Sequence, residues 1–397
     1  MIHRLIFFAI IAIDALILFF QTSEVSISAN EATLLYGDFS FLQVLIQLSL
    51  NIFGQNDFGL RFVMILFHVL SILLMYFISE RYIDKKRNRL WLLLMFVLLP
   101  GIVSSAIVVN SAGMVIFGLL LFVYLSEKIK QVYLNVLLLF YSCIDIGFAY
   151  LFLGLSVYYL MKKQRNLFLY MIGLYFLTSY LYGFDVHGSA RGHFLDTIGV
   201  YSAIFTPIIF IYIFYSLYRK YLASQTDMLW YISSTILILS LVLSLRQKIA
   251  IEHFAPYLII ALPLAAQTFV SSYRVRLKVY RKKYRLAFVL SFIFLIVNTL
   301  VVFFNKELYL VIKNPKKHFV YEMHVAKELS EFLIKENITC VLTDARMQKR
   351  LKFYKIPKCY ENKLQEIDLK SKKEGNVTIS YKQRVLYKAN VTKVNIQ

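Results

Sequence analysis

Residues 274–304 read RVRLKVYRKKYRLAFVLSFIFLIVNTLVVFF. Twelve residues carrying seven positive charges run directly into nineteen that carry none. An α-helix needs roughly 20 apolar residues to cross the ~30 Å hydrocarbon core of a bilayer. The second part of this stretch is long enough, and the first part marks the side on which it stops.

The same alternation recurs upstream. Apolar runs at about 5–20, 59–79, 91–107, 111–126, 132–142, 144–161, 167–183, 199–218, 228–244 and 255–271 precede the run at 286–304, which predicts eleven spans. The fifth and sixth share one nearly continuous apolar stretch. The first begins behind Arg4 like a signal peptide, but it lacks a small-x-small cleavage site and more spans follow, so it reads as an uncleaved anchor.

Positive charge tests that count, because a missed or extra helix would invert the pattern downstream. Alternate short loops hold 20 Lys and Arg, and the loops between them hold three: Arg191, Arg246 and Lys248. Cytoplasmic loops are the Lys/Arg-rich ones, so the N-terminus is expected in the cytoplasm and the charge-poor loops outside. A composition of 59% hydrophobic and 16% aromatic residues excludes an ordinary soluble domain.

Beyond the last run the composition changes. Residues 305–397 hold 20 Lys and Arg against 10 Asp and Glu, with no run able to cross a bilayer. The expected division is a transmembrane domain at 1–304, with an external first loop at 21–57, and a periplasmic α/β domain at 305–397. Helices are predicted at 321–337 and 345–354, and strands at 338–342, 376–381 and 385–391. The basic surplus is spread rather than clustered and lies outside the cell membrane, so a nucleic-acid partner is not expected. Anionic headgroups or a phosphorylated glycolipid suit such a surface better. Cys340 and Cys359 fall in this domain, where an oxidising periplasm permits a disulfide. The triplets at Asn337, Asn376 and Asn390 are sequons compatible with an external domain.

The first external loop carries Glu24, Asn30, Glu31, Asp38 and Asp57 and no positive charge. Within it, Phe41–Phe53 is apolar with helical periodicity and too short to span comfortably, which predicts an interfacial helix. A carboxylate loop beside a surface-lying helix suits an enzyme that draws one substrate from lipid and activates a hydroxyl with a general base.

Four segments resemble the polyprenyl-phosphate-sugar-dependent transferases of the GT-C superfamily, including the protein O-mannosyltransferase-like and aminoarabinose transferase-like enzymes. They are Asn30-Glu31-Ala32, Phe53-Gly54-Gln55-Asn56-Asp57-Phe58-Gly59-Leu60-Arg61, the stretch from His253 to Pro263, and Val341-Leu-Thr-Asp344 with Leu351-Lys-Phe-Tyr354. Their order and topology match the family. The resemblance implies an all-α polytopic GT-C-like fold of about eleven transmembrane helices with a small C-terminal α/β domain. It also implies transfer of a sugar from a polyprenyl phosphate at the periplasmic face, in modification of lipopolysaccharide, lipid A or a surface glycan. Three departures accompany it. Asn30 stands where the family has its catalytic Asp, the Lys-Pro-Pro element of the first loop is absent, and Val109-Asn110-Ser111 replaces an acidic residue between spans three and four.

Glu31 therefore stands as the catalytic residue, a general base or metal-binding carboxylate, or else as a loop carboxylate satisfying backbone amides. Arg61 opens the second span and should pair with Glu31, Asp38 or Asp57, or contact substrate. Arg191, Arg246 and Lys248 break the exclusion of positive charge from the outer face and suit a carrier phosphate, and His253 joins them as a substrate-binding residue. His187 and His193 make a weak metal pair. The sequence names no metal and no cofactor. Asp14 and Asp145 would serve an ion pathway, but no inverted repeat and no intramembrane basic partner accompanies them, so a transporter or flippase of a lipid-linked sugar ranks below two other readings. These are the transferase itself and a non-catalytic membrane subunit of a lipopolysaccharide-modifying complex, such as a two-protein Kdo hydrolase. The partners expected are a lipid-linked sugar, lipid A or lipopolysaccharide, membrane lipids and, for the subunit, a membrane-associated enzyme.

Overall fold

A computed structural model of the chain describes residues 2–183, 192–369 and 375–393. Every one of the eleven apolar runs carries helix. Four helices are long and apolar enough to cross a membrane: Ile2–Glu24, Asp57–Tyr82, Ile251–Val275 and Lys278–Phe303. Three bent pairs raise the number to seven if each is one span, and four shorter apolar helices remain. These helices are compatible with a membrane protein.

The bends have chemical causes. Pro100 removes a backbone donor and clashes with the turn before it, and the run at 91–107 becomes Lys86–Val97 and Pro100–Ile107, bent by 59°. Pro207 follows Thr206, a buried residue held at φ 64°, and Phe194–Phe205 and Pro207–Leu222 diverge by 102°. Pro256 and Pro263 break the run at 255–271 into short pieces. Within one helix of the long set, Lys278–Phe303, most side chains of the apolar window are exposed. An apolar surface of that size is not stable against water, which is the physical case for lipid around it.

The chain divides into two compact units. The first comprises 1–16 and 64–299, the second 17–63 and 300–397. The core of the first is formed by fully buried side chains such as Leu119, Leu151, Leu155, Ile232, Tyr257 and Leu264. Gly154 lets Ala149–Met161 approach Met228–Ser244 closely, since a Cβ there would lie 3.0 Å from the Cα of Ile232. Small residues at such crossings are how helices pack in lipid, where no hydrophobic force draws them together.

The second unit joins a stretch near the N-terminus to the C-terminal segment. Its sheet has the order β1 (Asn362–Glu366), β3 (Arg384–Lys393), β2 (Val377–Tyr381), all antiparallel. Leu364 opposite Val391 and Val377 opposite Ala389 turn their side chains toward the helices Ala326–Lys335 and Ala345–Phe353, where Leu329, Leu333 and Leu351 complete a dry core. The run at 338–342, expected as a strand, contributes one parallel bridge between Leu342 and Lys363. Its neighbourhood is tied instead by the Cys340–Cys359 disulfide and by the Val341 amide donating to Pro357 O (3.2 Å). β1 was not anticipated, because Asn-Lys-Leu-Gln-Glu buries Leu364 alone.

Between the last long helix and this core lies a buried ring cluster. The Tyr309 hydroxyl is 2.9 Å from Nδ1 of His324, and its ring stacks on His318. Nε2 of His324 is buried and has no hydrogen-bond partner among the described residues. Desolvation first, then Lys306 and His318, push its pKa down from 6.5 to about 3. The unfolded chain takes up this proton below pH 6.5 and the folded chain does not until about 3, so stability present above 6.5 is withdrawn as pH falls through that window. Thermal unfolding of the purified protein across this range should show a shallower acid loss for His324→Gln than for the wild type; equal slopes would exclude the buried imidazole as a cause.

Candidate functional site

The second unit centres on Arg61. Its side chain is fully buried, and a guanidinium keeps its charge in any protein environment. Nη1 donates to Val25 O and Nη2 to Ser26 O, each at 2.9 Å. Nη2 also donates to Oε2 of Glu31 at 3.3 Å, and Oδ1 of Asp57 lies 3.8 Å from Nη1. Of the three carboxylates expected as partners, Glu31 and Asp57 are engaged, and Asp38 is exposed.

Glu31 is held by local helix chemistry as well. Ser28 caps Ala29–Tyr36, its Oγ accepting from the Glu31 amide (3.2 Å) while Oε2 of Glu31 accepts from the Ser28 amide (2.7 Å). This reciprocal capping box satisfies two donors that a helix start leaves open. Glu31 is fully buried, and Asn30 beside it is exposed.

Asp57 starts the helix Asp57–Tyr82, where a negative charge suits the dipole. Gly54, at φ 83°, makes the turn into it from Phe41–Phe53, and Asn56 Oδ1 accepts from the Gly59 amide (2.6 Å). Two side chains of the C-terminal segment complete the network. The Tyr354 hydroxyl donates to Asp57 Oδ1 (2.7 Å) and accepts from the Ile27 amide (3.1 Å), and Lys327 Nζ lies 3.0 Å from Asp57 Oδ2. Burial, reinforced by the Asp57 charge, raises the Tyr354 pKa, which keeps the hydroxyl a donor. Glu31, Arg61, Asp57 and Lys327 thus alternate in sign. The segments are also joined through backbone, the Ser26 amide donating to Met323 O (2.8 Å), and by Lys306 on Glu24 (2.9 Å).

Phe41–Phe53 is helical over the expected residues and bends 93° from Ala29–Tyr36. Gln43 ties the two, its amide donating to Leu35 O (3.0 Å).

In the first unit, Arg246 and Lys248 are exposed at the turn after Met228–Ser244, and His253 lies in the short helix Ile251–Phe254 that follows. His193 joins this turn, its amide donating to Ser244 O (2.8 Å). The short helix packs on the start of Ser111–Leu125 and on the 3-10 turn Ile146–Phe148. There Asp145 accepts from the Gly147 amide (2.7 Å), and the Tyr257 hydroxyl donates to Gly147 O (2.6 Å). Asn110 Oδ1 and His193 Nε2 are buried at this rim without partners among the described residues. Arg191 and His187 lie outside the described residues.

Sequence reasoning missed three participants. Lys327 and Tyr354 reach Asp57 from roughly 300 positions away, and no local pattern announces that. The third is His68, for Asp14 does have an intramembrane basic partner, contrary to expectation: Nε2 of His68 lies 2.6 Å from Oδ2 of Asp14. A lone histidine in the apolar run 59–79 was the available signal.

No family model, no curated protein and no solved structure matches the chain.

Removing one partner of a buried ion pair typically costs about 3–5 kcal/mol, and Glu31→Ala also deletes the helix cap. Glu31→Ala should therefore lower stability by that order in chemical or thermal unfolding, whereas a change under about 0.5 kcal/mol, the range of a surface substitution, would remove Glu31 from the network.

Proposed function

We propose that the chain is a multi-pass inner-membrane protein with a GT-C-like frame, acting as a non-catalytic subunit of a complex that modifies a lipid-linked glycan, of which lipopolysaccharide and its lipid A are the expected members. One observation carries this reading. At Asn30-Glu31 the residue that faces outward is an amide, and the residue that keeps a carboxylate is buried, capped and paired with Arg61. A general base must come within hydrogen-bond reach of the proton it removes. An amide cannot take that proton, and Glu31 is committed to holding the fold.

In this reading Arg246, Lys248 and His253, with Arg191, receive the phosphate of the lipid carrier, and a partner enzyme performs the bond cleavage or transfer. Arginine suits phosphate through bidentate hydrogen bonding, and lysine as a point charge. Eleven crossings would leave the N-terminus in the cytoplasm and the tail in the periplasm. The alternation of positive charge supports that orientation, as does the Cys340–Cys359 disulfide, a bond that persists in oxidising compartments.

The rival is the transferase, with Glu31 as base. The full-length protein, purified in mild detergent, should by itself fail to turn over a polyprenyl-phosphate sugar, and glycolipid modification should follow a co-purifying enzyme. Glu31→Gln should reduce modification only in step with folded yield. Loss of modification at wild-type yield and melting temperature, or turnover by the chain alone, would establish the transferase instead.

A further inference from the structure

Two of the helices long enough to cross a membrane meet at a pair of titratable side chains. Asp14 sits near the middle of Ile2–Glu24 and His68 near the middle of Asp57–Tyr82. At 1.5 Å per residue each lies roughly 15–20 Å from the ends of its helix. The side chains are more than nine-tenths buried, with Nε2 and Oδ2 separated by 2.6 Å. One proton between them leaves the pair neutral, whether it is drawn as carboxylate and imidazolium or as acid and imidazole. Neutrality is the condition under which such groups persist at membrane depth.

A small cavity borders His68, with room for about one water molecule. Its polar lining is acceptor-rich. Ser71 Oγ donates to Phe67 O (2.7 Å) and Ser105 Oγ to Ile102 O (2.9 Å), so each hydroxyl turns lone pairs to the remaining space. The helices around the cavity bring no second titratable group to it: Phe96, Ile102 with Ser105, and Gly113 with Ile116 are their contributions. Tyr76, on the helix of His68, faces the same helix pair and packs its ring on Phe7. A space lined by acceptors beside a carboxylate takes a small donor or cation.

We propose that Asp14 and His68 form a proton-binding site within the membrane, loaded from this cavity. A hydronium gives up one O–H bond and becomes water. The proton forms a new O–H bond on the Asp14 carboxylate while His68 holds the first proton, and the pair passes from net charge zero to plus one. This site is independent of the glycan reading.

Dicyclohexylcarbodiimide modifies a protonated carboxylic acid in apolar surroundings and leaves a carboxylate alone. The full-length protein in lipid nanodiscs, treated across mildly acidic to mildly alkaline pH, should show an adduct at Asp14 by peptide mass spectrometry that rises several-fold as pH falls. In His68→Gln the carboxyl loses its proton partner and stays an acid, so labelling should be high and flat. Labelling of the wild type that is absent or independent of pH overturns the proposal whether or not the variant folds. So does a wild-type profile retained in a folded His68→Gln, and so does protection by sodium but not potassium, which would make this a sodium site.

Discussion

A buried guanidinium cannot shed its proton, so the chain must bring it acceptors or leave Arg61 out of the interior. The acceptors come from separate stretches of sequence: two backbone carbonyls at Val25 and Ser26, the Glu31 carboxylate, and Asp57 one helical turn before Arg61 itself. Asp57 then requires more than one cation can supply, and Lys327 and Tyr354 answer from the far end of the chain. Buried pairs of this kind are weak sources of net stability, because desolvation offsets most of the Coulomb gain. What they impose is correctness, since any arrangement that leaves one member unpaired is heavily disfavoured. The first loop and the C-terminal segment are therefore parts of one body rather than a loop and a separate tail.

That constraint bears on chemistry. A carboxylate that neutralises an arginine, caps a helix and has no exposed surface is poorly placed to accept a proton from a substrate hydroxyl. The neighbouring position has the exposure and lacks the carboxylate. The division between Asn30 and Glu31 is why the accessory reading fits the geometry better than the transferase reading that the motif order first invites.

Much of the fold was legible because apolar runs and charge alternation are local signals. Each of the eleven runs is helical, and Ala345–Phe353 and Phe41–Phe53 fall where periodicity put them. The number of straight crossings was less legible, since Pro100, Pro207, Pro256 and Pro263 break runs whose apolar content is continuous. The carboxylates near Arg61 were readable as a short set of partners. Lys327, Tyr354 and the pairing of Asp14 with His68 were not, because each contact joins residues that only tertiary packing brings together, at separations from 54 to about 300 positions.

The central claim, that the first loop and the C-terminal segment form one body on the face opposite the cationic turns, is tested most directly by labelling in intact spheroplasts. Single cysteines at Asp38→Cys, Lys382→Cys and Lys283→Cys, in a Cys143→Ala background, would be treated with a membrane-impermeant maleimide. The first two should react in intact cells and the third only after permeabilisation. Reaction of position 283 from outside, or shielding of either position 38 or position 382, would contradict the account.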